Sequence, residues 1–413
     1  MSSLPNFFIE EINTLLSDYI SQNEISRYRF DKVTTWATNI DFKGKFSLFD
    51  EEQLNVEFTP ADDRVEIDKI ITLAEKNFPE DKFYDFLLKI GQLCISHGKM
   101  NLSEEIFLKV ARENENNLFK AESLFFIARL GTKSAHWENS ERNIVDARNL
   151  FRTLGEKTGI TKCENLLGTI CANQGKLDEA EKHFENSHKL VDRTTEVELT
   201  AQIEMNLGII NNIKGSFNKA EQYFQSSLSR LSEVGSLNRI AEVRHNLGMM
   251  FLEQSKFENA LKEFDESIKV SIEAGLQPMM GISYLCKATA YFRMNEYDLA
   301  DAFATKSYDI CYGLSDKQSL AEVYKIKGMI ARLRKNFNDS ENYLQSSLRL
   351  NEKFRDDLNL AETSFELAKL YGTLNKKTEE DNYLNQALQY YRKIEAVGKI
   401  KELQKLLDNR INF

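Results

Sequence analysis

Proline is scarce in this chain of 413 residues, which contains only 4: Pro5, Pro60, Pro79 and Pro278. A proline inside a helix removes a hydrogen-bond donor and clashes with the preceding turn. Because Pro278 is the only one after Pro79, nearly unbroken helix is permitted over most of the chain.

Paired cysteines are also absent. The chain has 5 cysteines, an odd number, and no Cys-x-x-Cys pair; they are Cys94, Cys163, Cys171, Cys286 and Cys311. Scattered single cysteines favour free, buried thiols in a reducing compartment over a disulfide framework.

An excess of basic residues is lacking too. Lys and Arg number 54 against 64 Asp and Glu, which gives a formal net charge of -10. Proteins whose main partner is DNA or RNA need clustered cations to neutralise phosphates, so we expect no nucleic-acid partner. Residues 1–16 have no basic start, and no apolar run approaches the roughly 20 residues that span a bilayer. These features predict a soluble cytoplasmic protein without membrane insertion.

Signatures of catalysis and metal binding are missing from the sequence. It has no phosphate-binding Gly-x-x-x-x-Gly-Lys loop, no Gly-x-Gly-x-x-Gly and no Gly-x-Ser-x-Gly elbow. Its histidines do not form a His-Glu-x-x-His motif, and Cys94 with His97 supplies only two ligands, too few for a metal site. We therefore expect no enzymatic activity, no cofactor and no metal.

What the sequence does contain is an internal repeat of 40 residues. Small residues recur at this spacing at Gly168, Gly208, Gly248, Ala288, Gly328 and Ala368. Bulky residues follow nine positions later at Leu177, Phe217, Phe257, Tyr297 and Phe337, until Lys377 breaks the series. A third series is Phe184, Phe224, Phe264, Ala304, Leu344 and Leu384, and a fourth is Ser187, Ser227, Ser267, Ser307, Ser347 and Ala387. Several series in one register identify a repeat architecture.

Each repeat is predicted to form two helices. The first carries the Gly or Ala, as in Ile203–Lys214, and the second begins at the bulky residue, as in Phe217–Leu231. Apolar and small positions at i, i+3, i+7 and i+10 form a helix face. Weaker matches around Ala128 and Gly91 bring the total to eight repeats between about residues 80 and 394. A single hairpin cannot bury its apolar face alone, so the hairpins must stack.

The ends of the chain differ from the repeat. We predict an N-terminal helical segment and loop over residues 1–62, the repeat array over 63–394 and a capping helix over 395–413. Within the first of these, Leu4–Ile20 is predicted to be an amphipathic helix, whereas Phe42–Pro60 has little helical periodicity.

The order of small, bulky, Ala and aromatic residues resembles the tetratricopeptide repeat. Asn206-Leu207-Gly208 followed by Phe217, Ala220 and Phe224 carries this resemblance, as does Asn246-Leu247-Gly248 with its equivalents. It covers about three quarters of the chain. The repeat is six residues longer than the common 34-residue form, and is similar to the arrays of spindle-orientation adaptors, kinesin light chains and bacterial peptide receptors.

The resemblance implies an all-α, right-handed superhelical solenoid of about eight hairpins. Its concave side, lined mainly by first helices, is expected to hold a partner peptide or helix. The implied groove residues are Asn165, Gln202, Asn206, Asn212, Glu242, His245, Asn246, Glu253, Arg293, Lys325 and Arg332.

Asn206 and Asn246 are the strongest candidates, because an amide can both donate to and accept from a peptide backbone. A structural alternative is that they cap or bridge neighbouring helices. Arg293, Lys325 and Arg332 fit a solvated helix face better than a binding site, since their charges are not tightly clustered. Leu166, Cys286, Ile326 and Glu366 occupy the equivalent position elsewhere, so no continuous Asn ladder exists. Glu242 stands where a carboxylate clamp needs Lys, which argues against binding an acidic chaperone tail.

Two functions follow from the resemblance. The first is a protein-interaction scaffold that binds a partner in its groove. The alternative is a regulatory receptor that switches conformation when a signal peptide enters the array, with residues 1–79 as the effector part. The repeat itself names no partner, because fold does not fix function.

Overall fold

The computed structural model describes residues 7–19, 61–133, 137–394 and 396–411, and within them the chain is entirely helical apart from its turns. Two compact units, residues 1–191 and 192–413, divide the chain. The N-terminal unit contains α1 (Phe7–Ser17), α2 (Ala61–Asn77), α3 (Glu80–Ser96), α4 (Met100–Glu113), α5 (Asn117–Lys133), α6 (Trp137–Leu154), α7 (Lys157–Asn173) and α8 (Leu177–Leu190). The C-terminal unit contains α9 (Val197–Ile213), α10 (Phe217–Val234), α11 (Leu237–Glu253), α12 (Phe257–Glu273), α13 (Gln277–Arg293), α14 (Tyr297–Gly313), α15 (Lys317–Leu333), α16 (Phe337–Phe354), α17 (Asp357–Thr373), α18 (Lys377–Lys393) and α19 (Val397–Ile411).

The helices from α3 to α18 pack as eight consecutive hairpins, α3 with α4 through α17 with α18. This confirms the predicted all-α helical repeat. The second helix of each hairpin begins at the predicted position, including Phe217, Phe257 and Tyr297. First helices are longer than predicted, because α9 already begins at Val197. The extra residues of the long repeat extend both helices that flank Gly235, the left-handed residue that ends α10.

Short turns reverse the chain within each hairpin. After α9, the Gly215 N–H donates to the Asn212 carbonyl (2.9 Å) and the Ser216 N–H to the Asn211 carbonyl (2.8 Å). Gly215 has a φ of 75°, which glycine adopts without steric penalty. Asn295 and Asn375 take the same left-handed conformation in later hairpins, which asparagine tolerates better than most residues.

Glycines on the first helices leave room for aromatic rings on the second. A methyl group added at Gly208 would lie 2.7 Å from the ring of Phe224, and one at Gly248 would lie 2.5 Å from the ring of Phe264. Where the repeat has Ala288 in place of glycine, the facing residue is the small Ala304. The predicted packing reason for the periodic glycine is therefore present in these hairpins.

The serine series ties the two helices of a hairpin together. The buried Ser227 hydroxyl donates to the carbonyl of Ala201 at 2.8 Å, and Ser267 donates to Ala241 at 2.9 Å. Ser187 and Ser307 make the same bond to Thr161 and Gly281. A hydroxyl buried in the core needs such a partner, so the repeat keeps serine at this position.

The N-terminal unit begins with α1, which packs on α2 and α3. Phe8, Ile12 and Leu16 of α1 share one core with Ile67 and Phe86. The helix ends at Ser17, before the predicted end at Ile20, and residues 1–6 and 20–60, with the predicted start at Leu4 and the predicted loop over 42–60, lie outside the described residues.

All five cysteines are free thiols, and four of them are buried as expected. Cys286 is the exception, because it is only partly buried; the expectation of a buried thiol is wrong there. Among the described residues, no His, Cys, Asp and Glu side chains form a cluster of three or more that could hold a metal ion. No helix in the described part of the chain is both long and apolar enough to cross a bilayer.

Candidate groove on the first helices

Consecutive first helices of the C-terminal unit contact each other directly. The helices α9, α11, α13, α15 and α17 form these contacts in chain order. Second helices make no comparable contact with one another in the described residues of this unit. The stack is therefore closer on the side of the first helices, so this side of the C-terminal unit is concave.

A row of side chains on each first helix points to this concave side. Successive members are four and three residues apart, so they share one helix face. We call these residues the groove stripe: Gln202, Asn206 and Ile209 of α9; Glu242, Asn246 and Met249 of α11; Ile282, Cys286 and Thr289 of α13; Glu322, Ile326 and Met329 of α15. All are partly exposed except the buried Ile326.

The stripe residues of α11 and α13 contact each other. The thiol of Cys286 lies 3.4 Å from the thioether sulfur of Met249, which places α13 beside α11 on this face. Burial raises the pKa of Cys286 to about 12, so the side chain is a neutral, largely apolar group at neutral pH.

Asn206 and Asn246 occupy the same position on adjacent helices of the stripe, and both are partly buried. The Asn206 side chain already has an interaction partner within the chain. No bond from the Asn246 amide to another described residue is present, which leaves its donor and acceptor groups available to a ligand.

His245 lies next to Asn246 but faces the interior. Its Nδ1 is 3.2 Å from the hydroxyl of Ser283, which is 3.1 Å from the hydroxyl of Ser267. Its ring also packs against that of Phe264, with the two ring centroids 5.8 Å apart. Burial lowers the pKa of His245 to about 4, so the neutral ring is part of the packing between α11 and α13.

Lys325 and Arg332 join α15 to the following first helix. The Lys325 ammonium lies 2.5 Å from a carboxylate oxygen of Glu362 and 2.9 Å from Glu322. The Arg332 guanidinium lies 3.0 Å from the nearly buried carboxylate of Glu366. Both cations therefore have partners within the chain. The alternative of a solvated helix face did not include these partners.

The remaining predicted residues are spread over four helices. Arg293 donates to the carbonyl of Leu252 at 3.3 Å, and Glu242 pairs with Arg239 at 2.9 Å. Glu253 is exposed at the end of α11. Asn212 is partly buried, and its side-chain oxygen has no partner among the described residues. Asn165 is buried on α7 in the N-terminal unit and already has an interaction partner.

Sequence reasoning placed Cys286 and Ile326 at the position of the two asparagines without giving them a role, and it did not identify Ile209 and Met249. Ile209 and Met249 lie three residues after the two asparagines, and Cys286 and Ile326 replace asparagine in the next two repeats. Helical spacing from Asn206 and Asn246 could have identified them, but they read as ordinary core residues. Ile209, Met249 and Cys286 pack against one core and form an apolar floor beside the amides, whereas Ile326 is buried in the next core.

Comparisons with known proteins agree with this architecture. Residues 162–233 match the family model of the tetratricopeptide repeat. No curated protein sequence matches the chain.

Solved structures with similar folds include three at low sequence identity. A Rap protein complexed with competence and sporulation factor is 12% identical, with a TM-score of 0.63, over 94% of this chain and 99% of that one. The apo form of the quorum sensor NprR from B. thuringiensis is 13% identical, with a TM-score of 0.60, over 79% of this chain and 94% of that one. The Rap conjugation gene regulator of plasmid pLS20, in complex with a Phr peptide, is 13% identical, with a TM-score of 0.55, over 80% and 94%.

Proposed function

We propose that this chain, which carries tetratricopeptide repeats, is a protein-interaction scaffold that binds a peptide segment along the groove stripe. The observation that carries the proposal is the contact between stripe residues of neighbouring first helices. It places the amides of Asn206 and Asn246 beside the apolar side chains of Ile209, Met249 and Cys286 on the first helices.

The two halves of the stripe suit two parts of a peptide. The amides can donate to and accept from an extended backbone. The floor around Met249 and Cys286 can take an apolar side chain, and the thioether adapts its shape to different side chains. A few such anchors supply most of the binding free energy in a typical interface.

Peptide binding by similar folds supports the proposal. Two of the solved structures named above were obtained with a factor or peptide bound. At 12–13% identity they support only the ability of this fold to bind a peptide. The residues that would bind a peptide here are argued from this chain alone.

The assignment can be tested with a peptide selected from a library for binding to this chain. Calorimetry measures the dissociation constant of that peptide. Replacing Asn206 and Asn246 by alanine should weaken binding at least tenfold, because each lost hydrogen bond contributes about 1 kcal/mol or more. The matched control is the Asn218→Ala/Asn259→Ala variant, whose asparagines are exposed on second helices. Equal affinities for the two double variants would disprove the groove assignment.

Cys286 provides a native reporter of groove occupancy. It is partly exposed and the other four cysteines are buried, so a maleimide should reach it before the others, although the reaction is slow at neutral pH because burial raises the pKa of this thiol to about 12. A bound peptide that covers the stripe should slow this modification. Unchanged labelling at saturating peptide would place the binding site elsewhere.

A second candidate function is the regulatory receptor that changes conformation on binding. The division of the chain into two compact units favours it, because separate units can change their arrangement when one of them binds a ligand. Small-angle scattering with and without the selected peptide distinguishes the candidates. A scattering curve that is unchanged at saturation supports a static scaffold and removes the switch.

A further inference from the structure

One edge of the C-terminal unit is formed by the connections between hairpins. Each second helix ends there and the next first helix begins, from the α10–α11 turn at Gly235 to the α18–α19 turn at Ala396. Five such turns therefore follow one another along this edge. We call it the connection edge.

The connection edge exposes large apolar side chains at every turn. Tyr312 is 66% exposed and Ile272 is 59% exposed. Further members are Val234, Leu314, Phe354 and Leu358. Among the described residues of this unit, the other strongly exposed large apolar side chains away from the edge are Ile213, Leu299 and Leu333. Contiguous exposed apolar surface on a folded protein marks an interaction site.

Charges on the same edge are unevenly distributed. Glu233 and Glu273 are exposed on the first two turns, with the exposed Lys269 one helical turn before Glu273. Lys353, Arg355, Arg392 and Lys393 are exposed on the last two turns, where, among the described residues, Glu352 is exposed and Asp356 and Asp357 are partly exposed. The described residues of the edge therefore carry an excess of exposed basic groups towards α18 and no such excess towards α10.

We propose that the connection edge binds the same edge of a second copy of this chain, antiparallel, with the two-fold axis near Tyr312. A two-fold axis at the middle turn brings the first turn of one copy to the last turn of the other. Glu233 then faces Arg392, and Glu273 faces Lys353 and Arg355. The apolar side chains of the middle turn meet their own equivalents, as an isologous interface requires.

The exposed apolar area agrees with a homodimer. Covering the six apolar side chains named above would remove roughly 600 Å² from water on each copy, most of the about 800 Å² that one partner contributes to a standard interface. A parallel arrangement would bring like charges together, which is unfavourable. The charge distribution thus selects the antiparallel arrangement.

Sedimentation of the full chain over a range of concentrations tests the proposal. We expect a dimer that is populated at or below roughly 100 µM, as an interface of standard size predicts. Ile272→Asp/Tyr312→Asp should raise the dimer dissociation constant at least tenfold. The matched control is Ile213→Asp/Leu333→Asp, which places the same charges on exposed residues of the opposite edge. A monomeric wild-type protein, or equal dissociation by both double variants, would overturn the proposal.

Charge exchange tests the antiparallel arrangement itself. Glu233→Lys/Glu273→Lys should weaken the dimer about tenfold, because both ends of the interface become basic. Adding Lys353→Glu, Arg355→Glu and Arg392→Glu should restore it by recreating the complementary pairs in reverse. Circular dichroism confirms that each variant is folded. If the three added substitutions weaken the dimer further, this pairing is wrong.

Discussion

At the scale of single residues, the pairing of a small residue with a facing ring sets the distance between the helices of a hairpin. Gly248 and Phe264 are one such pair, and Ala288 with Ala304 is a smaller equivalent at the same repeat positions. A large ring is therefore found where the facing residue is glycine, and a small residue where the facing residue is alanine, in these two hairpins.

Gly248→Ala should lower the free energy of unfolding by about 1–3 kcal/mol, the range for overpacking a well-packed core. The new methyl group would lie 2.5 Å from the Phe264 ring, which must shift. Urea denaturation measures the change.

The control for this prediction is Gly313→Ala, because a methyl group at Gly313, the last residue of α14, meets no atom within 4 Å. That variant should be neutral or slightly more stable, since alanine is favoured over glycine in helices by about 1 kcal/mol. If the two variants are equally stable, close packing is not the reason for the periodic glycine.

His245 should make stability depend on pH. Its folded pKa of about 4 lies below that of an unfolded histidine, about 6.5. The unfolded chain therefore binds the proton more readily, and stability is lost as the pH falls below about 6.5. Between pH 7 and pH 5, protonation of His245 should lower the free energy of unfolding by about 2 kcal/mol.

Comparing urea unfolding of the wild-type protein and His245→Gln at pH 7 and pH 5 isolates this contribution. The variant should lose less stability than the wild type between the two pH values. An identical loss of stability in both proteins would mean that, at pH 5, His245 is protonated as readily in the folded state as in the unfolded state.

At the scale of helices, α19 covers the last hairpin. Leu403 is fully buried and shares a core with Leu388 and Tyr391 of α18. Burial raises the pKa of Tyr391 well above its usual value in the same core, so the site is shielded from water. A terminal helix with one apolar and one polar face is what the end of a repeat array requires.

Leu403→Asp should detach α19, because a carboxylate cannot be buried unpaired in this core. Binding of a fluorescent apolar dye should rise as α18 becomes exposed. Lys401→Asp, on the exposed face of the same helix, should leave dye binding unchanged. Equal dye binding by the two variants would show that α19 is not a cap.

At the scale of the whole molecule, stability in a repeat array arises from each hairpin and its contacts with its neighbours. The chain contains two compact units, so a local defect should stay within the unit that contains it. Gly168 faces Phe184 in the N-terminal unit, where an added methyl group would lie 2.6 Å from the ring.

Gly168→Ala should therefore speed hydrogen exchange in α7 and α8, while exchange in α15–α18 stays at the wild-type rate. Gly328→Ala is the reciprocal variant, because Gly328 faces Leu344 in the C-terminal unit. Mass spectrometry measures the rate of hydrogen exchange along the chain in both variants. Faster exchange throughout the chain in either variant would indicate a single cooperative unit.

The sequence was sufficient for the helical hairpins but not for the partners of the groove side chains. Phe217 and Phe257 mark helix starts because a 40-residue period repeats the same local pattern. Lys325 and Arg332 were placed on the groove, yet their partners Glu362 and Glu366 lie more than 30 residues later. No periodic pattern predicts such pairs, because they differ from one repeat to the next.

The sequence by itself determined the class of fold, the number of hairpins and the small-to-large pairing inside each, because these depend on residues that recur at fixed spacing. Only the tertiary structure decided which groove side chains already have partners, that Cys286 is accessible, and that apolar residues gather on the connection edge. These properties depend on contacts between neighbouring hairpins, where residues distant in sequence meet and each repeat differs from the next.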